Sequence, residues 1–208
     1  MPAPAAPAFG APAPGMPAPA SSVSGDWPVP RAAGRAVAVH RTTPRGLAHV
    51  IADLVSGHAA SSVAVPADVP REWLSALPAA TALRSEGPSL TPGLLGATDA
   101  AITGCALAVA ETGDIALVDG GTSQGGEALS RLPGHHICVL YATEAVGGPA
   151  DARRLLAPDR AVTWITAPAT ATATTAPTPR RGARTRTRTR TRTLDVVFVT
   201  GTQAPDRP

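Results

Sequence analysis

Short apolar segments alternate with helical patterns from residue 36 onward. Residues 36–40 and 62–65 are apolar enough to predict two strands. Between them, Thr43 and Pro44 predict the start of a helix that runs to about His58. The helix should present one apolar face to a sheet, because its large hydrophobic residues recur at spacings of three and four: Leu47, Val50, Ile51, Leu54 and Val55.

The same alternation continues toward the C-terminus. Helices are predicted over 70–77, 127–132 and 143–156, the last of them interrupted by a Gly-Gly-Pro sequence. Strands are predicted, in chain order, over 81–84, 99–104, 115–119, 136–141, 162–165 and 194–199. Strands this apolar, alternating with helices, are typical of a mostly parallel sheet that is covered on both faces. The predicted fold class is therefore α/β.

Composition divides the chain into one domain, two terminal tails and one low-complexity insertion. Residues 1–20 hold seven Pro and eight Ala, and we interpret residues 1–30 as a disordered tail. A single α/β domain is expected over 36–200, interrupted by a Thr/Ala/Pro and Arg-Thr insertion at 169–192 that should lack regular packed structure. Residues 201–208 are interpreted as a second disordered tail.

The net charge of +3 comes from one tract. Seven of the 18 basic residues lie in 180–192, which leaves 11 Arg against 15 acidic residues elsewhere, a net charge of −4. The tract offers charges for nucleic-acid phosphates, but it has no interleaved aromatic residues for base stacking, so a solvated tract is favoured over a nucleic-acid site. No apolar run approaches the roughly 20 residues of a membrane span, and the N-terminus lacks the pattern of a secretory signal, so we expect a cytoplasmic protein.

The Cys and His residues predict no metal site. Cys105 and Cys138 are isolated in apolar runs, without a CxxC partner, and are expected to be buried and unpaired. His135 and His136 are adjacent in a predicted strand, so their side chains should point to opposite faces, one near the core and one solvated. His49 and His58 belong to the first predicted helix, but nine residues separate them, so they lie on different faces of that helix and do not form a site.

Glu111 is the candidate catalytic carboxylate. It lies between two apolar runs, before Thr112 and Gly113, and is expected at a strand-to-turn junction facing a cleft. The glycine-rich loop 120–126 follows a strand and precedes a helix, so its backbone amides are candidates for binding an anion. An ordinary turn and an ordinary strand-to-helix connection remain the alternatives. The candidate substrate-binding residues are Thr112, Gly113, Gly120, Gly121, Gln124, Gly125, Arg131 and His136. Arg131 is the candidate counter-ion of the substrate. Arg131 and the histidines at 135 and 136 are also candidate cationic partners of Glu111.

Several of these motifs together resemble the LUD-domain family, and within it the lactate-utilisation protein C type. They are Asp99-Ala-Ala-Ile-Thr-Gly, Ala110-Glu-Thr-Gly, Ala128-Leu-Ser and Leu132-Pro-Gly-His-His-Ile-Cys-Val, and the resemblance covers about 36–168 and 192–200. It implies a three-layer α/β/α fold like that of sugar-phosphate isomerases and CoA transferases. It also implies a role in the oxidation of L-lactate to pyruvate beside two iron–sulfur partner proteins.

Two segments depart from the family. Pro/Ala sequence replaces the opening helices, and residues 169–191 lack the acidic and His-containing segment that family members carry there. The resemblance favours an accessory or substrate-handling subunit of a cytosolic lactate-oxidising complex, with no cofactor in this chain, clusters in the partners and a small carboxylate as substrate. The alternatives are a stand-alone enzyme acting on a phosphorylated or CoA-linked metabolite, an inactive degenerate family member, or a nucleic-acid-binding protein. No self-sufficient catalytic motif decides among them.

Overall fold

The elements follow one another along the chain as the apolar pattern indicates. A computed structural model describes residues 37–119, 121–156, 160–165, 185–189 and 193–201. Its helices and strands are β1 (Val37–Thr42), α1 (Leu47–Gly57), β2 (Ser62–Val65), β3 (Ala82–Ser85), α2 (Pro92–Gly96), β4 (Ala100–Thr103), β5 (Leu107–Val109), β6 (Ile115–Val118), α3 (Glu127–Arg131), β7 (His135–Tyr141), β8 (Ala145–Val146), α4 (Pro149–Leu155), β9 (Val162–Ile165), β10 (Thr185–Thr189) and β11 (Thr193–Val199).

Six of these strands form the central sheet, in the order β1-β11-β7-β4-β2-β3. All of its strand pairs are parallel. Strands β2, β4 and β7 are buried along their whole length, as expected for a parallel sheet covered on both faces. The predicted fold class is confirmed.

Helices cover both faces of this sheet. The buried side of α1 packs on one face through Leu47, Ile51, Leu54 and Val55. On the other face, Leu95 of α2 and Leu129 of α3 pack against Ala64 and Ala101. The architecture is therefore a three-layer α/β/α fold.

A second sheet, in the order β10-β9-β6-β5-β8, adds to the layer opposite α1. Its residues pack against the side of β7 and β11 that carries Cys138, Leu140 and Phe198. Helix α4 covers part of its outer surface through Ala152. The sequence did not predict this sheet as a unit, because β5 and β8 have only three and two residues.

Three predicted helices differ from the observed elements. Helix α1 begins at Leu47 rather than at Pro44, because residues 44–46 form a turn. The N-cap residue is Gly46, which has no side chain that could cap the helix. The segment 70–77 forms only a 3-10 turn at Arg71–Leu74. Within 143–156, Ala145–Val146 pairs as a strand with β5 and the helix starts at Pro149, a favoured first helical residue.

The Arg-Thr repeat also differs from the prediction in part. Residues 185–189 form β10, which pairs in parallel with β9, so the prediction that 169–192 lacks regular structure is wrong for this segment. Threonine is β-branched and favours strands, and the edge of β9 offers unpaired backbone groups. The predictions for residues 1–30 and 202–208, and for the rest of 169–192, concern residues outside the described part of the chain. Within the described part of the chain, no helix has both the length and the apolar character to cross a membrane.

The topology of the central sheet creates one switch point. From β2 the chain moves outward to β3, whereas from β4 it moves in the opposite direction to β7 and then β11. The two connections diverge at the carboxyl ends of β2 and β4. Open α/β sheets bind their ligands in the crevice at this position.

Candidate functional site

The crevice at the carboxyl ends of β2 and β4 is filled by the glycine-rich loop. The Gly104 amide, directly after β4, donates a 2.6 Å hydrogen bond to the carbonyl oxygen of Ser123. The Ser123 amide donates to Asp68 Oδ2 at 2.8 Å, and its hydroxyl donates to the Asp68 carbonyl oxygen at 3.2 Å. The loop is therefore tied to the segments that follow both strands.

A second carboxylate holds the other end of this loop. The Gly126 amide donates to Glu86 Oε1 at 2.9 Å. Two amides of the loop thus bind carboxylates of the chain itself, Asp68 and Glu86, which is the anion chemistry expected for such a loop. The sequence did not identify these two acidic residues, because the segments after β2 and β3 meet the loop only through the sheet topology.

Gly125 and Gln124 shape the loop in different ways. Gly125 has φ +67°, and a Cβ there would lie 2.7 Å from Leu129 Cδ2 and 3.0 Å from Glu86 Oε2. Gln124 is buried, and its Oε1 accepts a 2.6 Å hydrogen bond from the Val118 amide, which closes the loop onto β6. The Gln124 side chain also packs over Gly121. Gly120 lies outside the described residues.

Trp73 is a part of the crevice that sequence reasoning missed. Its side chain is buried, and its Cη2 atom lies 3.5 Å from the position of a Cβ on Gly104. The indole Nε1 has no hydrogen-bond partner among the described residues. A buried donor without an acceptor is costly in a folded protein, so this N–H is an unsatisfied group beside Gly104.

Glu111 lies in the hairpin turn between β5 and β6, at the strand-to-turn junction that the sequence predicts. It is exposed, and its amide donates to the Gly147 carbonyl oxygen at 3.1 Å. Thr112 donates its hydroxyl hydrogen to Asp114 Oδ2 at 2.9 Å, and Gly113 takes the positive φ of +73° that the turn requires. This turn is at one end of β6 and the glycine-rich loop is at the other, so the structure does not bring the two candidate groups together.

The expected partners of Glu111 have other contacts. Arg131 donates to Glu127 Oε1 at 2.8 Å on the exposed side of α3. His136 Nε2 is 2.8 Å from Thr103 Oγ1, and His135 Nε2 is 2.6 Å from Asp195 Oδ2. Both histidines are buried, so the expectation that one would be solvated is wrong, although they do point to opposite faces of β7. The catalytic and substrate-binding assignments stay predictions.

Burial, together with the neighbouring His135, lowers the pKa of His136 to about 3. The unfolded chain binds a proton here below pH 6.5 and the folded chain does not until about pH 3, so stability is lost as the pH falls through this window. From pH 7 to 5 this group alone should cost about 2 kcal/mol of unfolding free energy.

Urea unfolding at pH 7 and pH 5 checks this value. His136→Gln removes the titrating ring and retains an amide near Thr103, so its loss between the two pH values should be smaller by that amount. The same pH dependence in both proteins would contradict it.

An aspartate–histidine cluster lies at the opposite, amino-terminal edge of the central sheet. In Asp195 of β11, Oδ1 lies 2.7 Å from His40 Nε2. Its Oδ2 lies 2.6 Å from His135 Nε2 and 3.2 Å from His58 Nε2. The rings of His58 and His135 are tilted by 34° with centroids 3.8 Å apart. Three elements besides β11 therefore meet at one carboxylate: β1, β7 and the C-terminal cap of α1.

Burial by itself would raise the pKa of Asp195, but the hydrogen bonds and charges of His135 and His40 outweigh it and hold that pKa below its usual value. The cluster was missed because Asp195 and His40 are 155 residues apart. One signal was present: Asp195 is the only charged residue in an otherwise apolar strand, and a buried carboxylate there requires a partner.

Asp99 joins the starts of β2 and β4 at the same edge. Its Oδ2 accepts hydrogen bonds of 2.9 Å from the amides and hydroxyls of Ser61 and Ser62. These bonds lower the pKa of Asp99. The first residue of the Asp99-Ala-Ala-Ile-Thr-Gly motif is therefore a structural anchor.

The two cysteines are free and buried, as predicted. The adjacent Cys138 thiol, burial and the carboxylate of Glu144 together raise the pKa of Cys105 well above its ordinary value. Cys105 is therefore a thiol at neutral pH and a poor nucleophile.

The geometry defines a three-layer α/β/α protein with the glycine-rich loop at the switch point of a parallel sheet. Comparison with known proteins gives the family. The chain belongs to the LUD domain family, whose model matches residues 94–201. It is similar to a protein of Deinococcus radiodurans named lactate utilization protein C, with 35% identity over an alignment of 156 positions that covers 67% of this chain and 72% of the relative. It is also similar to the crystal structure of a DUF162 family protein from the same organism, with a TM-score of 0.58 and 29% identity over 79% of this chain and 88% of that one.

Proposed function

We propose that this protein takes part in lactate utilisation, as an accessory or substrate-handling subunit of a cytoplasmic system that oxidises L-lactate to pyruvate. The observation that carries the proposal is the 35% identity to a protein named lactate utilization protein C. The match covers 67% of this chain and 72% of the relative, so it extends well beyond a single motif.

The crevice supports a small carboxylate as the bound molecule. Its loop amides at Ser123 and Gly126 already hold carboxylate oxygens of Asp68 and Glu86. A substrate carboxylate has the same charge and acceptor geometry, so the proposed mode of binding is exchange of one internal carboxylate for that of lactate.

The number of cysteines supports the proposal that partner proteins carry the electrons. A four-Cys iron–sulfur cluster needs four thiolates, and this chain has two cysteines, both buried. Lactate oxidation releases two electrons, which must leave through a redox group. We therefore place the clusters in partner proteins that bind this chain.

Affinity purification from cells grown on L-lactate tests the proposed partnership. The full chain should bring down proteins whose visible spectrum shows iron–sulfur absorption, bleached by dithionite. A chain that is isolated alone and turns over a phosphorylated or CoA-linked metabolite would support the stand-alone enzyme instead.

Paired glycine variants test whether the crevice loop binds lactate. Gly125→Ala introduces a methyl group where φ is +67° and Leu129 is 2.7 Å away, so the loop must move. Gly87→Ala is the matched control, because nothing lies within 4 Å of its Cβ position. We expect calorimetric L-lactate binding to weaken at least about tenfold in Gly125→Ala and to be unchanged in Gly87→Ala, which corresponds to a loss of about 1.4 kcal/mol.

A third variant, Glu111→Gln, tests the hairpin. Loss of lactate-dependent activity with a normal thermal melt would assign Glu111 a catalytic role. Full activity would exclude Glu111 as a catalytic residue. Equal lactate affinity in all three variants and the parent would place the substrate outside the crevice.

A further inference from the structure

Two imidazoles and one carboxylate converge at the amino-terminal edge of the sheet. One ring nitrogen of His58, one of His135 and a carboxylate oxygen of Asp195 all lie within 4.8 Å of one another. Both imidazole nitrogens face the same oxygen, Oδ2, at 3.2 and 2.6 Å. These are the ligand atoms of a two-histidine, one-carboxylate metal site.

Two of these three side chains are buried on strands of the central sheet, and the third is partly exposed to solvent. The side chains of Asp195 and His135 are 5% and 6% exposed and belong to the adjacent strands β11 and β7. His58 caps α1 and its side chain is 39% exposed, so an ion has access from solvent and open coordination positions remain. The second oxygen of Asp195 is held by His40 at 2.7 Å, a contact of the kind that orients a metal-binding carboxylate.

We propose that His58, His135 and Asp195 bind a divalent transition-metal ion, with His40 positioning the carboxylate. Imidazole nitrogens suit Zn²⁺, Co²⁺ or Ni²⁺, whereas Mg²⁺ and Ca²⁺ prefer sites built from oxygen atoms alone. The site goes beyond the proposed lactate function, since it lies at the edge of the sheet opposite the crevice.

The distances set what binding requires. Around a tetrahedral Zn²⁺ with bonds of about 2.0–2.1 Å, neighbouring ligand atoms are about 3.3 Å apart. The His58–Asp195 separation already has that value, and the His135–Asp195 separation must open by several tenths of an ångström. Binding requires each imidazole to present the lone pair of Nε2 to the ion, so the ring proton must be on Nδ1.

The surroundings of His135 limit the affinity. Its Nδ1 is buried and has no hydrogen-bond partner among the described residues. Metal-binding histidines ordinarily donate this N–H to an acceptor, and the loss of such a contact weakens binding roughly 10–100-fold. The site should therefore be weaker than a zinc site with complete outer contacts.

Titration of the untagged full chain with ZnCl₂, followed by calorimetry and thermal melting, tests the proposal. We expect one Zn²⁺ per chain and a rise in Tm with the parent protein. His58→Ala should weaken the affinity by at least about tenfold. His49→Ala should leave it unchanged, because His49 is an exposed histidine of the same helix, α1, outside the cluster.

The readout does not involve lactate, so this proposal and the proposed function fail separately. A melt without metal shows that His58→Ala is folded, as expected for an exposed side chain. Absence of Zn²⁺ binding at millimolar concentration, or equal binding by the parent and His58→Ala, would overturn the proposed site. Co²⁺ gives a second measurement: visible absorption bands should appear with the parent and with His49→Ala, and they should be absent with His58→Ala.

Discussion

Asp195→Ala should lower the free energy of unfolding by about 3–5 kcal/mol. The substitution removes three imidazole contacts at once and leaves the buried His135 without a partner for either ring nitrogen. Contacts to a charged acceptor contribute roughly 1.5–3 kcal/mol each, but they share one carboxylate and do not add. Chemical denaturation at pH 7 measures the loss.

A matched control separates this effect from that of any surface change. His49→Ala alters an exposed residue on α1 and should stay within about 0.5 kcal/mol of the parent. If Asp195→Ala were as stable as His49→Ala, the cluster would not join β1, α1, β7 and β11 as described.

Phe198→Ala should cost a similar amount, about 3–5 kcal/mol. Phe198 is fully buried in the cluster where the second sheet packs on the central one. The loss combines the removed apolar surface with the cavity that remains between two sheets. Urea unfolding measures it, and Phe198→Leu, which fills most of the space, should lose clearly less.

Leu155→Ala is the control for a hydrophobic residue outside this interface. Its side chain lies on α4 and is 42% exposed, so truncation should have a small effect. Equal losses for Phe198→Ala and Leu155→Ala would contradict the packing of the second sheet against β11.

The central sheet could be predicted because most of its inner strands are largely apolar on both faces. Segments such as 62–65 and 194–199 have no polar face, which is the pattern of parallel strands between two layers. The apolar face of α1 was predicted for the same reason, since its residues repeat with the helical period. What the pattern does not contain is the order of the strands.

The strand order decides the site, which explains what sequence reasoning missed. Asp68, Glu86 and Ser123 meet only because β2, β3 and β4 are neighbours in the sheet. Glu111 and the glycine-rich loop are close in sequence, yet they lie at opposite ends of β6, the strand that separates them along the chain. The antiparallel pairing of β5 with β6 was not predicted, because β5 has only three residues and gives too little periodicity.

Growth on L-lactate as the sole carbon source tests the central claim most directly. Deletion of the gene should abolish growth on L-lactate and leave growth on glucose intact, and the full chain supplied in trans should restore it. Complementation by Gly87→Ala but not by Gly125→Ala, at equal amounts of folded protein, would further place the substrate at the glycine-rich loop. Normal growth of the deletion strain on L-lactate would contradict the proposed role in lactate utilisation.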